Sequence, residues 1–136
     1  MKIIFKKQRG KNIVTYEREE YPLYWFEADD FLVLHDLSHY AIEKTLQYEN
    51  AFWGLIKSGV NPRDFENKQL REKIFISNEA WHTECMANLI LMELTQGRFE
   101  NFNEVFGDSL RTTHPKIPIL ELSEEKIDSI RNYYLQ

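Results

Sequence analysis

A chain of 136 residues with 43% hydrophobic side chains is the size of one ordinary domain and can bury a sizeable core, so a single domain over 1–136 is expected. The 22 acidic against 17 basic residues leave a net charge of −5, which repels phosphate backbones and argues against nucleic acid as a partner. One cysteine, Cys85, excludes an intramolecular disulfide framework. No apolar run approaches the roughly 20 residues of a membrane helix, so no membrane association and a cytoplasmic setting are expected.

In chain order, "KIIFKK" (2–7) and "NIVTYER" (12–18) are β-branched and aromatic runs separated by the turn-like "QRGK", which predicts an antiparallel hairpin. The basic residues Lys6, Lys7, Arg9 and Lys11 then solvate its tip. Leu23–Phe26 adds a third strand, and Pro22 restricts it to a strand start or an edge. Asp29 or Asp30 supplies an N-cap for a helix running to about Tyr48, with acidic charge favourable at that end. "AFWGLIKS" reads as a short second helix ended by Gly59, and "RDFENKQLREKI" as charged, helical or irregular.

Ser77 or Asn78 caps a long helix, "EAWHTECMANLILMELTQ", that stops at Gly97. "RFENFNEVFGDSLRTTHPKIPIL" reads mostly as connection, with "KIPILEL" a candidate strand joining the sheet at an edge. Ser123 followed by Glu124 and Glu125 opens a last helix with Ile127, Ile130 and Tyr134 on one face. The fold class expected is α+β, with a small antiparallel sheet from the N-terminal hairpin packed on two main helices plus a C-terminal helix. Trp25, Trp53 and Trp81 are expected as core or pocket walls, His114 as a surface loop residue, and Cys85 as a buried inert thiol.

The chemistry concentrates in "HDLSHYAIE" (35–43). At about 100° per residue His35, His39 and Glu43 fall within roughly 80° of one another on a helix, on the side that also carries Leu32, Ile42 and Leu46. Two neutral imidazoles one turn apart can share a transition-metal ion. Glu43 lies about 12 Å along the axis from His35, so a third ligand from another helix is the better fit. The long helix offers Glu79 and His82 in an E-x-x-H turn. The single turn of this kind disfavours a ferritin-like di-iron centre. Asp36 sits on the polar flank, where its carboxylate can accept from an imidazole.

"FLVLHDLSH" resembles the His-Asp segment of HD-domain phosphohydrolases, and that resemblance implies a divalent metal held by His35 and Asp36. His35, Asp36 and His39 also resemble the H-D-x-x-H helix of the zinc-binding coenzyme Q biosynthesis protein family, implying zinc on the two histidines. Where that family carries a further glutamate, this chain has Ala51.

The leading expectation is a divalent-metal site, zinc by preference, with His35, His39 and His82 as ligands and Asp36 orienting an imidazole. Glu43 or Glu79 would serve as general base in a metal-dependent hydrolase acting on a small-molecule substrate. The alternative is a non-enzymatic interaction module in which the histidines form a buried hydrogen-bonded seam, with exposed hairpin edges allowing a homodimer.

Overall fold

The chain opens with a hairpin whose two-residue turn, Arg9-Gly10, has positive φ at both positions (51° and 78°), the geometry that matches the right-handed twist of paired strands. β1 (Lys2–Gln8), β2 (Lys11–Arg18) and β3 (Tyr21–Ala28) pair antiparallel in the order β1-β2-β3. Phe5 lies opposite Val14, and Val14 opposite Phe26. The computed structural model describes residues 1–60, 64, 67, 69 and 77–133, and five helices follow the sheet among them. They are α1 (Asp30–Leu46), α2 (Phe52–Lys57), α3 (Asn78–Gln96), α4 (Phe102–Thr113) and α5 (Glu124–Asn132). The architecture is α+β, as the sequence predicts. The run over 63–74 lies outside the described residues apart from Asp64, Asn67 and Gln69, and Tyr134 lies outside them too.

Period-two alternation decides which face of the sheet is buried. Val14 and Tyr16 of β2, with Ile3, Phe5, Tyr24 and Phe26 beside them, pack on Trp53 and Ile56 of α2 and on Val33 and Tyr40 of α1. The opposite face leaves Leu23 and Trp25 more than half exposed, so Trp25 is an outward strand residue and not the core or pocket wall expected of it. A second cluster gathers Ile42 of α1, Met86 and Ile90 of α3, Phe106 and Leu110 of α4, and Ile127 and Ile130 of α5. Helix α1 belongs to both clusters and is the shared middle element.

The helix ends follow their caps. Asp29 Oδ1 accepts from the Leu32 amide at 2.7 Å, Ser77 Oγ from Ala80 at 3.1 Å, and Ser123 Oγ from Lys126 at 3.2 Å. Gln47, in the left-handed region at φ 58°, ends α1, and Gly97 ends α3. Arg131 of α5 forks onto Glu93 of α3 at 2.9 and 2.6 Å, and Glu93 also accepts from the Phe99 amide.

Two expectations are corrected. The stretch around 98–120 contains a real helix, α4, begun by Asn101, whose side chain accepts from the Glu104 amide. Phe102, Phe106 and Leu110 then recur every fourth residue as a fully buried stripe, each contributing about 1.5–3 kcal/mol of burial. "KIPILEL" forms no strand. Pro118 lacks a backbone donor, and the carbonyl it retains bonds to His82 at 2.6 Å. Leu122 N and O are both taken by the Asn103 side chain at 2.8 Å, so this backbone is satisfied by side chains of α3 and α4 and not by a sheet edge. His114 lies just past the end of α4, outside any helix or strand as expected, half-buried with its ring 4.2 Å from that of Trp81.

Candidate metal centre

Helices α1 and α3 pack along each other, and their contact carries the ionisable cluster. His39 faces α3 and is fully buried, whereas His35, one turn earlier, keeps 23% of its side chain exposed. Across from them stands Glu84 of α3, with 31% of its side chain exposed. His39 Nε2 lies 2.9 Å from Glu84 Oε2, and His35 Nε2 lies 3.5 Å from Glu84 Oε1. The ligand atoms of His35, His39 and Glu84 all fall within 4.8 Å of one another, spacing at which the three could hold a metal ion.

Tetrahedral ligands at about 2.0–2.1 Å from zinc are separated by roughly 3.3 Å. The two imidazole–carboxylate distances, to different oxygens of Glu84, bracket that value. One ligand atom from each residue spans up to 4.8 Å, so the three side chains would draw together around an ion. The histidine side of the site is also oriented from behind. The other ring nitrogen of His39, Nδ1, is 3.5 Å from Glu43 Oε2, and Nδ1 of His35 is 3.9 Å from Asp36 Oδ1. Each ring thus presents Nε2 to Glu84 and has a carboxylate on its far side, at longer range than the hydrogen-bonded carboxylate–imidazole pairs of metal-ligating histidines.

Of the two carboxylates behind the rings, that of Glu43 is fixed by α2, which also holds the Asp36 backbone. Glu43 Oε1 accepts from the amides of Trp53 at 2.9 Å and Gly54 at 3.2 Å, while the Trp53 indole donates to the Asp36 carbonyl at 3.0 Å. Asp36 is therefore buried, not on a polar flank as its wheel position implied. Asp36 Oδ2, His39 Nδ1 and Glu43 Oε2 are buried without a close hydrogen bond, so the seam behind the rings is held by longer contacts. Phe31 lies over His35 with a 6.4 Å centroid separation, and Phe52 against His39 at 5.3 Å.

These contacts set the protonation of the metal-free cluster. Burial alone would lower the His35 pKa, but hydrogen bonds and negative charge from Asp36 and Glu84 outweigh it and raise the ring to about 9. His39 is also raised, with Glu43 and Glu84 overcoming burial and the neighbouring His35 charge. Burial works to raise Glu84, yet the two imidazoles hold its carboxyl well below the usual range. The consequence for stability has a definite sign. His35 contributes most below its unfolded value of 6.5, and that contribution is lost as pH rises through about 9. Glu84 contributes most above its unfolded value of 4.5 and loses that as pH falls toward its lowered pKa. Melting in the presence of a chelator should thus be highest between these unfolded values and fall steadily toward pH 9; a melting temperature that climbs from neutrality to pH 9 contradicts the assignment.

Of the residues predicted from sequence, His35 and His39 come together, with Glu84 in the place expected of His82. His82 points elsewhere because it lies two residues, about 200°, from Glu84 around α3. Its Nε2 bonds to the Pro118 carbonyl and its ring packs 6.0 Å from that of Phe106. Glu79 clamps the α1–α2 loop through the Glu49 amide at 3.1 Å and Asn50 Nδ2 at 3.4 Å. Glu43 stands behind His39, on the opposite ring nitrogen from Glu84. Neither glutamate expected as a base is therefore at the mouth of the cluster. Cys85 is buried beside Glu84 in sequence, with Sγ 3.2 Å from Ser109 Oγ and its thiol pKa pushed up by burial.

Comparison with protein-family models, with curated proteins and with solved structures finds no match to this chain. No helix among the described residues is long and apolar enough to cross a membrane.

Proposed function

We propose that the protein binds one divalent metal ion, zinc by preference, through His35 and His39 Nε2 and the Glu84 carboxylate, and acts as a metal-dependent hydrolase on a small molecule. The observation that carries this reading is the convergence of those three side chains, from two helices, within 4.8 Å. Two imidazoles and one carboxylate are a ligand set of catalytic zinc sites, which keep a position for water. The partial exposure of His35 and Glu84 leaves a side from which water and substrate can approach. Zinc supplies water activation at neutral pH and polarisation of an ester, amide or phosphate oxygen.

In this reading Glu43 positions His39 and does not take a proton from water, because it stands buried behind the ring, with Oε1 held by the Trp53 and Gly54 amides and Oε2 3.5 Å from His39 Nδ1. Glu43→Gln keeps the shape and the amide contacts but removes the charge facing His39 Nδ1. Zinc affinity measured by calorimetry should fall about 10–100-fold, with the stoichiometry unchanged. An unaltered affinity sets Glu43 apart from the centre.

The test of function is turnover of p-nitrophenyl esters and phosphates by zinc-loaded, chelated and reconstituted protein. Hydrolysis that disappears with chelation and returns with zinc supports the proposal; a rate independent of the metal counts against it.

A specific observation favours a second reading. The 2.9 Å contact of His39 Nε2 with Glu84 is already a charge-assisted hydrogen bond, and with both rings protonated the four carboxylate–imidazole contacts close into an ion-paired seam that requires no metal. In that case the cluster fixes the α1–α3 contact, and zinc leaves melting unchanged.

A further inference from the structure

A groove of about 670 Å³ lies between β1, the C-terminal half of α1 and α2. None of His35, His39 or Glu84 lines it; Glu43, which stands behind His39, is a wall that it shares with the metal centre. Its size is that of a small-molecule pocket. Ile3, Tyr40, Tyr48 and Trp53 give it apolar and aromatic walls, while Lys44 and Lys57 bring two ammonium groups to its rim.

The walls are formed in advance. Lys44 Nζ is held over the Tyr40 ring by a 3.1 Å bond to the phenol oxygen. The Glu49-Asn50 wall is pinned by Glu79, and Ser77 Oγ donates to the Asn50 carbonyl at 2.7 Å. Gly54 permits this closeness, because a Cβ there would collide with the Glu49 carbonyl. The acidic groups on the lining are Glu43 and Glu49. Glu43 is buried and occupied by the Trp53 and Gly54 amides, which leaves Glu49 as the exposed carboxylate facing two exposed lysines.

We propose that this groove binds a small amphipathic organic anion, its apolar or aromatic body against Tyr40, Tyr48 and Trp53 and its acidic group between Lys44 and Lys57. A preformed wall lowers the ordering cost of binding, and the two lysines give the anion its orientation.

Anilinonaphthalene sulfonate, an aromatic body with one anionic group, is the probe. Titrated into the full chain, it should show saturable binding near one equivalent. The affinity should weaken about tenfold in the Lys44→Met, Lys57→Met double variant, which keeps the apolar stems and removes both charges. Lys6→Met with Lys7→Met, on the hairpin, should leave it unchanged. Both pairs are exposed, and thermal melts establish that the variants fold. Non-saturable binding, less than a twofold effect of the groove pair, or an equal effect of the hairpin pair overturns the proposal. Metal loading is measured independently, so this result and that of the metal reading are separable.

Discussion

Replacing His39 with alanine is expected to destabilise the metal-free protein by about 3 kcal/mol and to abolish its stabilisation by zinc. The first effect has two sources. The ring is 1% exposed, so its loss leaves a void between α1 and α3. It also removes the partner that faces Glu84 at 2.9 Å and Glu43 at 3.5 Å, stranding negative charge where water is scarce. A change of that size lowers melting by on the order of 10 °C in a chain of this length. The second effect separates the two functional readings. A ligand held by the native state alone adds about 2.7 kcal/mol at a hundred times its dissociation constant. The gap between wild type and variant should therefore widen when zinc is added. If zinc leaves the gap as it was in chelator, the seam reading holds and the metal reading does not.

Glu84→Gln should reduce zinc affinity more than about 100-fold, beyond what the loss of an orienting neighbour costs. Gln keeps the volume and one acceptor but removes the anion that faces both Nε2 atoms. Without it, burial is no longer outweighed to the same extent, and the His35 pKa should fall from about 9 toward or below its ordinary range. Imidazole resonances followed by NMR across the titration report this directly. The informative controls are Glu79→Gln and His82→Ala. Each should cost stability, through the loop clamp and the Pro118 carbonyl respectively, while leaving metal affinity intact. A loss of affinity in His82→Ala that equals the loss in Glu84→Gln would restore the E-x-x-H turn as the ligand source.

The local rules carried most of the fold. Alternation in 2–7 and 12–18, the Arg9-Gly10 turn and the Asp29, Ser77 and Ser123 caps are all signals within a few residues of the structure they specify. Helix α4 was equally written in its Phe102–Phe106–Leu110 stripe. Gly107, a weak helix former, lies within that stripe, yet the helix runs through it from Phe102 to Thr113. "KIPILEL" has strand composition but no strand, because its partners are the side chains of Asn103 and His82 and no sequence-local rule expresses them.

The candidate site divides in the same way. The i, i+4 register of His35 and His39 is a property of one helix and can be read from it. Which residue of α3 meets them depends on how two helices are rotated against each other. The E-x-x-H spacing of Glu79 and His82 suggested one face; the packing of Met86 and Ile90 into the core presents another, with Glu84 toward α1. The buried position of Asp36 was similarly hidden, since it depends on Trp53 of α2 reaching back to the Asp36 carbonyl.

The most direct measurement is a zinc titration of tag-free, chelator-stripped protein at neutral pH, followed by calorimetry with Glu84→Gln and His82→Ala alongside. The account predicts one equivalent of zinc for wild type and His82→Ala, protons released as the imidazoles give up theirs, and no comparable binding in Glu84→Gln. A wild-type stoichiometry near zero, or binding that survives Glu84→Gln unchanged, contradicts it.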